Sequence, residues 1–243
     1  MTATTAAPAD AADVAGTAPT ATRLRRDLLN TTAALLALLA WDASGADLAA
    51  ARLFGNLQGF AARDSAWAST LLHDGGRLGA WLLLALLAGA AWRAGPGGVA
   101  LPGSAHRWRW LGVTLLGALA VPALKRLSAT SCPWDLAEFG GVAQHVSHWA
   151  WGLADGGAGH CFPSGHAVAA FAFFTLHFQW REFNRRRARV WLVAVAATGA
   201  LFGAAQLARG AHFPSHTLWS AWLCWVLCVA AAAAFRAREP KPS

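Results

Sequence analysis

Cys161-Phe162-Pro163-Ser164-Gly165-His166 closes a polar, glycine-containing loop (155–160) and opens an apolar run from Ala167 to Trp180. The stretch reads as the start of a helix: proline and serine suit a first turn, and Gly165 lets a ligand approach the backbone closely. Unpaired N–H groups and the positive end of the helix dipole make such a start an anion site. His166 adds a group that exchanges a proton near neutral pH. Phosphate is the natural guest. The plainer reading is a capped helix with an incidental histidine.

The helix that begins there has company. The chain has 243 residues, of which 56% are apolar and 13% charged, against about 25% charged in a soluble domain. This composition predicts an integral membrane protein. Six runs are candidate spans: 28–42, 71–92, 110–124, 164–180, 190–208 and 217–235. Several are shorter than the roughly 20 residues a straight crossing requires. The expected fold is an all-α, six-helix membrane bundle over residues 23–236. Residues 1–22, rich in Ala, Thr, Pro and Asp, read as a disordered cytoplasmic tail rather than a signal peptide, and 237–243 as a short cytoplasmic tail. Residues 48–62 carry apolar side chains at helical spacing with Arg52 and Asn56 interleaved. They suggest an amphipathic surface helix or a solvated connector packed on the bundle. The loop from Glu138 to His160, with His145, His148, Trp149 and Trp151, reads as a half-buried interfacial helix or a packed loop.

Arginines supply the orientation. Arg23, Arg25 and Arg26 precede the first span; Arg93, Arg107 and Arg109 separate the second from the third. Arg181, Arg185, Arg186, Arg187 and Arg189 separate the fourth from the fifth, and Arg236, Arg238 and Lys241 follow the sixth. Fourteen of the 20 Lys and Arg residues thus share one side, which the positive-inside rule makes cytoplasmic, with both termini. The net charge of +8 is then a topology signal; no patterned support exists for a nucleic-acid partner. On the opposite face the third span exits at Lys125, the fourth enters at Pro163-Ser164-Gly165-His166, and the fifth exits at Arg209 into Gly210-Ala211-His212-Phe213-Pro214-Ser215-His216. Cations and imidazoles kept together at that rim default to a functional site.

These residues resemble the type 2 phosphatidic acid phosphatase (PAP2) superfamily, whose motifs are Lys, six residues, Arg-Pro; then Pro-Ser-Gly-His; then Ser-Arg, five residues, His, three residues, Asp. The second motif is intact here. The first keeps Lys125 and Pro133 but has Cys132 for Arg; the third keeps His212 but has Ala205-Gln206 for Ser-Arg and His216 for Asp. The resemblance implies metal-free phosphoryl transfer through a phosphohistidine, with no cofactor. His212 would be the nucleophile and His166 the acid for the leaving alkoxide, with Lys125 and the Ser164 and Gly165 amides on the phosphoryl oxygens. Charge spreads over those oxygens in the transition state, so preorganised donors do most of the stabilising. Arg209, three residues before His212, would supply the charge of the missing arginines, with Arg126 the weaker candidate. His216, a backbone carbonyl, Asp135 or Glu138 would orient His212.

Cys132 and Cys161 both fall on the outward, oxidising side. A disulfide between them would tie the first motif to the second; free thiols, or zinc ligation with His145, His148 or His160, are the other readings. Cys224 and Cys228 read as apolar packing in the sixth span. The functional expectation is a lipid phosphatase of a bacterial inner membrane, acting on a phosphomonoester or diphosphate at the periplasmic or extracellular face. The other readings are a lipid phosphotransferase and a non-catalytic phospholipid-binding protein with a degenerate site.

Overall fold

The computed structural model describes residues 20–93 and 102–237. Apart from residues 20–22 and 237, which are helical, the two expected tails lie outside the described residues. The architecture is mainly helical: α1 (Thr20–Ser44), α2 (Ala46–Arg52), a two-stranded hairpin of β1 (Gly55–Asn56) and β2 (Gly59–Phe60), a π-helical turn (Trp67–Gly75) running into α3 (Gly76–Trp92), then α4 (Ser104–Arg126), α5 (Val168–Phe171), α6 (Phe174–Trp180), α7 (Arg185–Ala208) and α8 (Pro214–Ala237). By length and hydropathy α7 and α8 qualify as membrane crossings, and the pair Thr22–Ser44 and Ala46–Arg52, bent by 67°, is a third candidate.

Two expectations need correction. The span anticipated at 164–180 begins as helix only at Val168 and breaks at Ala172 and Phe173. The Thr175 hydroxyl, shared with Thr114 of α4 at 2.6 Å and with the Ala172 carbonyl at 3.3 Å, ties this break to α4. The Pro163–His166 stretch is therefore an irregular turn, and the four-residue α5 behind it has little macrodipole to offer an anion. Residues 48–62 are not one amphipathic helix: α2 ends at Arg52 and the hairpin follows, pairing Gly55 with Phe60 and Asn56 with Gly59. Glycines at both strand positions favour the turn over helix. Phe60 is buried against Phe139, at 4.8 Å between ring centroids.

The main core lies between α4, α5, α6, α7 and α8, around Trp110, Phe171, Phe174, Leu176 and Phe178. Gly199 of α7 lets Phe171 sit against the helix backbone, since a Cβ there would overlap its ring. Close approach through small residues is the usual means of packing apolar helices. A second, smaller cluster of Ala51, Phe60, Leu136, Phe139, Ala143 and Phe213 joins the hairpin and the segment after α4 to the α7–α8 turn. That cluster covers the end of the bundle where His212 lies. At the other end Arg181 pairs with Asp27 at 2.6 Å, and Arg107 donates to the Arg93 carbonyl at 2.6 Å. Arg93, Arg107 and Arg181, three of the basic residues assigned to one face by sequence, thus lie at this end, Arg181 against α1.

Candidate active site

Three chain segments build the site. The first leaves α4 after Lys125 and runs beside the segment approaching Cys161: the His160 amide donates to the Ser128 carbonyl at 2.8 Å and the Cys161 amide to Thr130 at 2.9 Å. Asp155 knits the two together, accepting from the Ser131 amide and hydroxyl and from the Gly157 amide. Burial acts to raise the Asp155 carboxyl, but these three donors outweigh it and hold the group below the usual carboxylate range. A disulfide between Cys132 and Cys161 completes the junction.

The second segment ends α7. Gly210, at φ +72°, terminates the helix in the left-handed conformation that glycine adopts most readily. The Gln206 carbonyl then accepts from the Ala211 amide at 2.8 Å and the His212 amide at 3.3 Å, which fixes the nucleophile candidate's backbone. The third is the first turn of α8. Asp47 accepts from the Ser215 amide at 3.0 Å and from the Ser215 hydroxyl, so a carboxylate from the α1–α2 corner caps this helix. Ser220 anchors the turn by donating to the carbonyls of Ser164 and His216.

His212 is buried in the turn between α7 and α8. Its Nδ1 lies 3.4 Å from Cys161 Sγ and 3.5 Å from His216 Nδ1. The disulfide sulfur carries no proton and can only accept. The Cys161 backbone carbonyl also accepts a hydrogen bond from His212 and one from His216. With the ring proton on Nδ1, toward the accepting sulfur, the lone pair lies on Nε2. Burial pushes the His212 imidazole well below its ordinary range, and the positive charges of His216, Lys125 and His166 push in the same direction. Lys125 and His166, 87 and 46 residues before His212 in sequence, both lie close enough to bear on its ring. The Lys125 side chain also passes over Gly165, where an added Cβ would meet its Cδ at 3.5 Å.

The remaining predicted residues are placed differently. The Ser164 amide, expected to face phosphate, donates instead to the His216 carbonyl at 3.0 Å, because the first turn of α8 packs on this loop. Arg209 donates from Nε to the Arg63 carbonyl at 3.0 Å and lies over the Trp134 ring at 5.9 Å. Glu138 pairs with Arg52 on the surface, and Asp135 accepts from the Trp134 indole, so neither turns toward His212. The Glu138–His160 loop is not helical beyond the end of a short 3-10 turn at Ala137–Phe139, and most of it is exposed, with Phe139, Ala143 and Asp155 buried.

Sequence reasoning assigned no role to Asp42, although it named His148. Asp42 Oδ2 accepts from His148 Nε2 at 3.2 Å, Trp149 Nε1 at 3.0 Å and Trp219 Nε1 at 2.9 Å. His148 stacks on Phe162 at 4.1 Å and meets His216 edge-on at 6.1 Å. Burial lowers the His148 pKa despite Asp42. An acidic residue near the end of a membrane-candidate helix was the available signal.

The sequence profile of the PAP2 superfamily matches residues 107–240, more than half of the chain, and the protein belongs to that superfamily. Comparisons with curated proteins and with solved structures found no match. Superfamily members are generally phosphatases, so the family points to phosphatase-type chemistry for this site.

Proposed function

We propose that the protein is a six-span membrane phosphatase that removes phosphate from a lipid monoester or diphosphate through a phosphohistidine on His212. The carrying observation is the buried His212, with Nδ1 turned to Cys161 and with Lys125 and His166 bearing on the ring. A neutral imidazole with its lone pair on Nε2 is a competent nucleophile. Nε2 attacks phosphorus as the bond to the lipid oxygen breaks, and His166 gives that oxygen its proton. Water then attacks the phosphohistidine, His166 takes a proton from it, and inorganic phosphate leaves. Lys125 and the Gly165 amide carry the equatorial oxygens, with Arg209 adding positive charge at the rim; such donors act on charge that develops in the transition state.

A cavity of about 540 Å³ adjoins the site, lined by Leu124, Leu127, Val146, Phe162, Trp219 and Leu223 among others. Its size and apolar walls suit a lipid tail. The clustering of basic residues at the opposite end supports a cytoplasmic assignment for that end and an outward, periplasmic or extracellular site.

Purified protein given radiolabelled lipid phosphate tests the reading. Wild type releases inorganic phosphate in EDTA and traps an acid-labile phosphoprotein on quenching; His212→Ala does neither while still binding the lipid. Turnover by His212→Ala near the wild-type rate would end the proposal. Transfer of label to a second lipid without free phosphate would identify a phosphotransferase, and binding without turnover in wild type a non-catalytic protein.

A further inference from the structure

Cys161 Sγ and ring nitrogens of His212 and His216, all buried, lie within 4.8 Å of one another. Two of the separations are those of metal ligands. Tetrahedral zinc, with bonds of about 2.0 Å to nitrogen and 2.3 Å to sulfur, has ligand–ligand edges of about 3.3 Å between nitrogens and about 3.6 Å from sulfur to nitrogen. The protein has 3.5 Å from Nδ1 to Nδ1 and 3.4 Å from Sγ to Nδ1. A fourth ligand is at hand, since Cys132 is bonded to Cys161. Cys132 is also only half-buried, which leaves that bond open to attack by a reductant. The rings of Phe162 and Phe213 stand edge-on to His216 at 5.3 and 5.4 Å and supply an apolar wall.

With the disulfide intact there is no thiolate, so the cluster is closed to zinc. We propose that reduction of Cys132–Cys161 converts it into a zinc-binding site of Cys161, His212 and His216 with Cys132 as fourth ligand, and that zinc there withdraws His212 from catalysis. A dithiol gives two electrons and two protons to the disulfide and is itself oxidised to a disulfide. Zn²⁺ then displaces the proton from each of the two thiols. Each neutral imidazole binds the metal through Nδ1 and carries its one proton on Nε2. A ring bound to zinc through Nδ1 has no lone pair on Nε2 and cannot attack phosphorus. Metal binding stands apart from the phosphatase reading; only the loss of turnover rests on it.

The test uses full-length protein in detergent, reduced with a phosphine, freed of it without air, and titrated with Co²⁺ as a spectroscopic stand-in for zinc. Reduced wild type is expected to take up one cobalt per chain with a thiolate-to-cobalt charge-transfer band, which Zn²⁺ abolishes; oxidised wild type gives no band. Cys132→Ser frees Cys161 permanently and is expected to show the band without reductant. His216→Ala, reduced, should bind at least roughly tenfold more weakly. The proposal is overturned if reduced wild type and Cys132→Ser both lack the band, if oxidised protein binds as well as reduced, or if His216→Ala binds like wild type. These readouts need no phosphatase activity, so failure here and failure of the phosphohistidine are told apart.

Discussion

Reducing the Cys132–Cys161 bond should lower the stability of the fold and loosen the candidate nucleophile in one step. The bond spans a sequence separation of 29, for which loop-closure entropy gives about 12 cal/mol/K, or about 3.6 kcal/mol at 25 °C. For a chain of this length each kcal/mol moves the melting temperature by about 2–4 °C, so a fall of about 7–14 °C is expected. The assay is thermal unfolding in detergent, followed by tryptophan fluorescence, with EDTA present so that released thiols hold no metal. Oxidised wild type, reduced wild type and Cys132→Ala/Cys161→Ala are compared. The reduced wild type isolates the cross-link, because its sulfur atoms are still present; the double variant should melt slightly lower and ignore the reductant. Activity should fall as well, since the Cys161 carbonyl that holds His212 is no longer pinned, and misplacement by about 1 Å can cost on the order of a hundredfold. Alkylation of denatured, unreduced protein should label only Cys224 and Cys228, the buried free cysteines. Four labelled thiols, or a reduced protein that melts with the oxidised one, would refute this reasoning.

Lys125→Ala should reduce kcat/KM by about a hundredfold or more through lost stabilisation of the phosphoryl oxygens; unchanged kinetics would remove Lys125 from the site. Asp47→Ala removes the carboxylate that caps α8 at Ser215 and should cost about 1–2 kcal/mol in a denaturant titration. Gly210→Ala places a Cβ at φ +72° against the Phe60 ring; about 1–2 kcal/mol is expected from the backbone alone, and a melt like that of wild type would contradict the turn geometry. His212 and His148 are both held below the ordinary histidine range, so below pH about 6.5 the unfolded chain binds more protons than the folded one. Their contribution to stability is therefore complete above that pH and lost on acidification, and a melting temperature that rises from pH 7 to pH 5 would reverse the sign.

The helical character was legible because it rests on a long-range regularity, the recurring runs of apolar residues. Motif spacing predicts Lys125, His166 and His212 as neighbours, and the fold brings the three together. What failed was local. Gly55 and Gly59 sit inside a helical hydrophobic pattern but favour a hairpin, and periodicity does not register a turn. The run from Ala167 to Trp180 is uniformly apolar, so nothing in it announces the break at Ala172–Phe173; that break is tied to the tertiary contact of Thr175 with Thr114. Asp47 was invisible as a cap for α8 because its partner Ser215 is 168 residues away.

Two of the positions where the chain departs from the PAP2 motifs, Cys132 and His216, are linked through Cys161 and His212. Cys132 stands where the first motif has arginine, and it is bonded to Cys161. Cys161 touches His212 through Sγ and accepts from it through its carbonyl; His216, standing where the third motif has aspartate, meets the same ring at 3.5 Å. A carboxylate facing His212 would favour its charged form. Burial and the second imidazole favour its neutral form, and they outweigh the Cys161 carbonyl, which favours the charged one. Counting Gln206, the motif positions have lost two arginines and one aspartate, a net loss of one positive charge. The carboxylates that remain nearby, Asp42 and Asp47, act one shell further out, on His148 and Ser215. The exchanges at Cys132 and His216 are expected to act together: the covalent tie at Cys132 would position the Cys161 backbone to orient His212 where the motif has aspartate. On this reasoning His216→Asp alone should not improve turnover, because it puts a carboxylate into a buried site with no arginine opposite. Pairing it with Cys132→Arg should recover part of the activity that either change loses, whereas simply additive losses would show that the exchanges are independent.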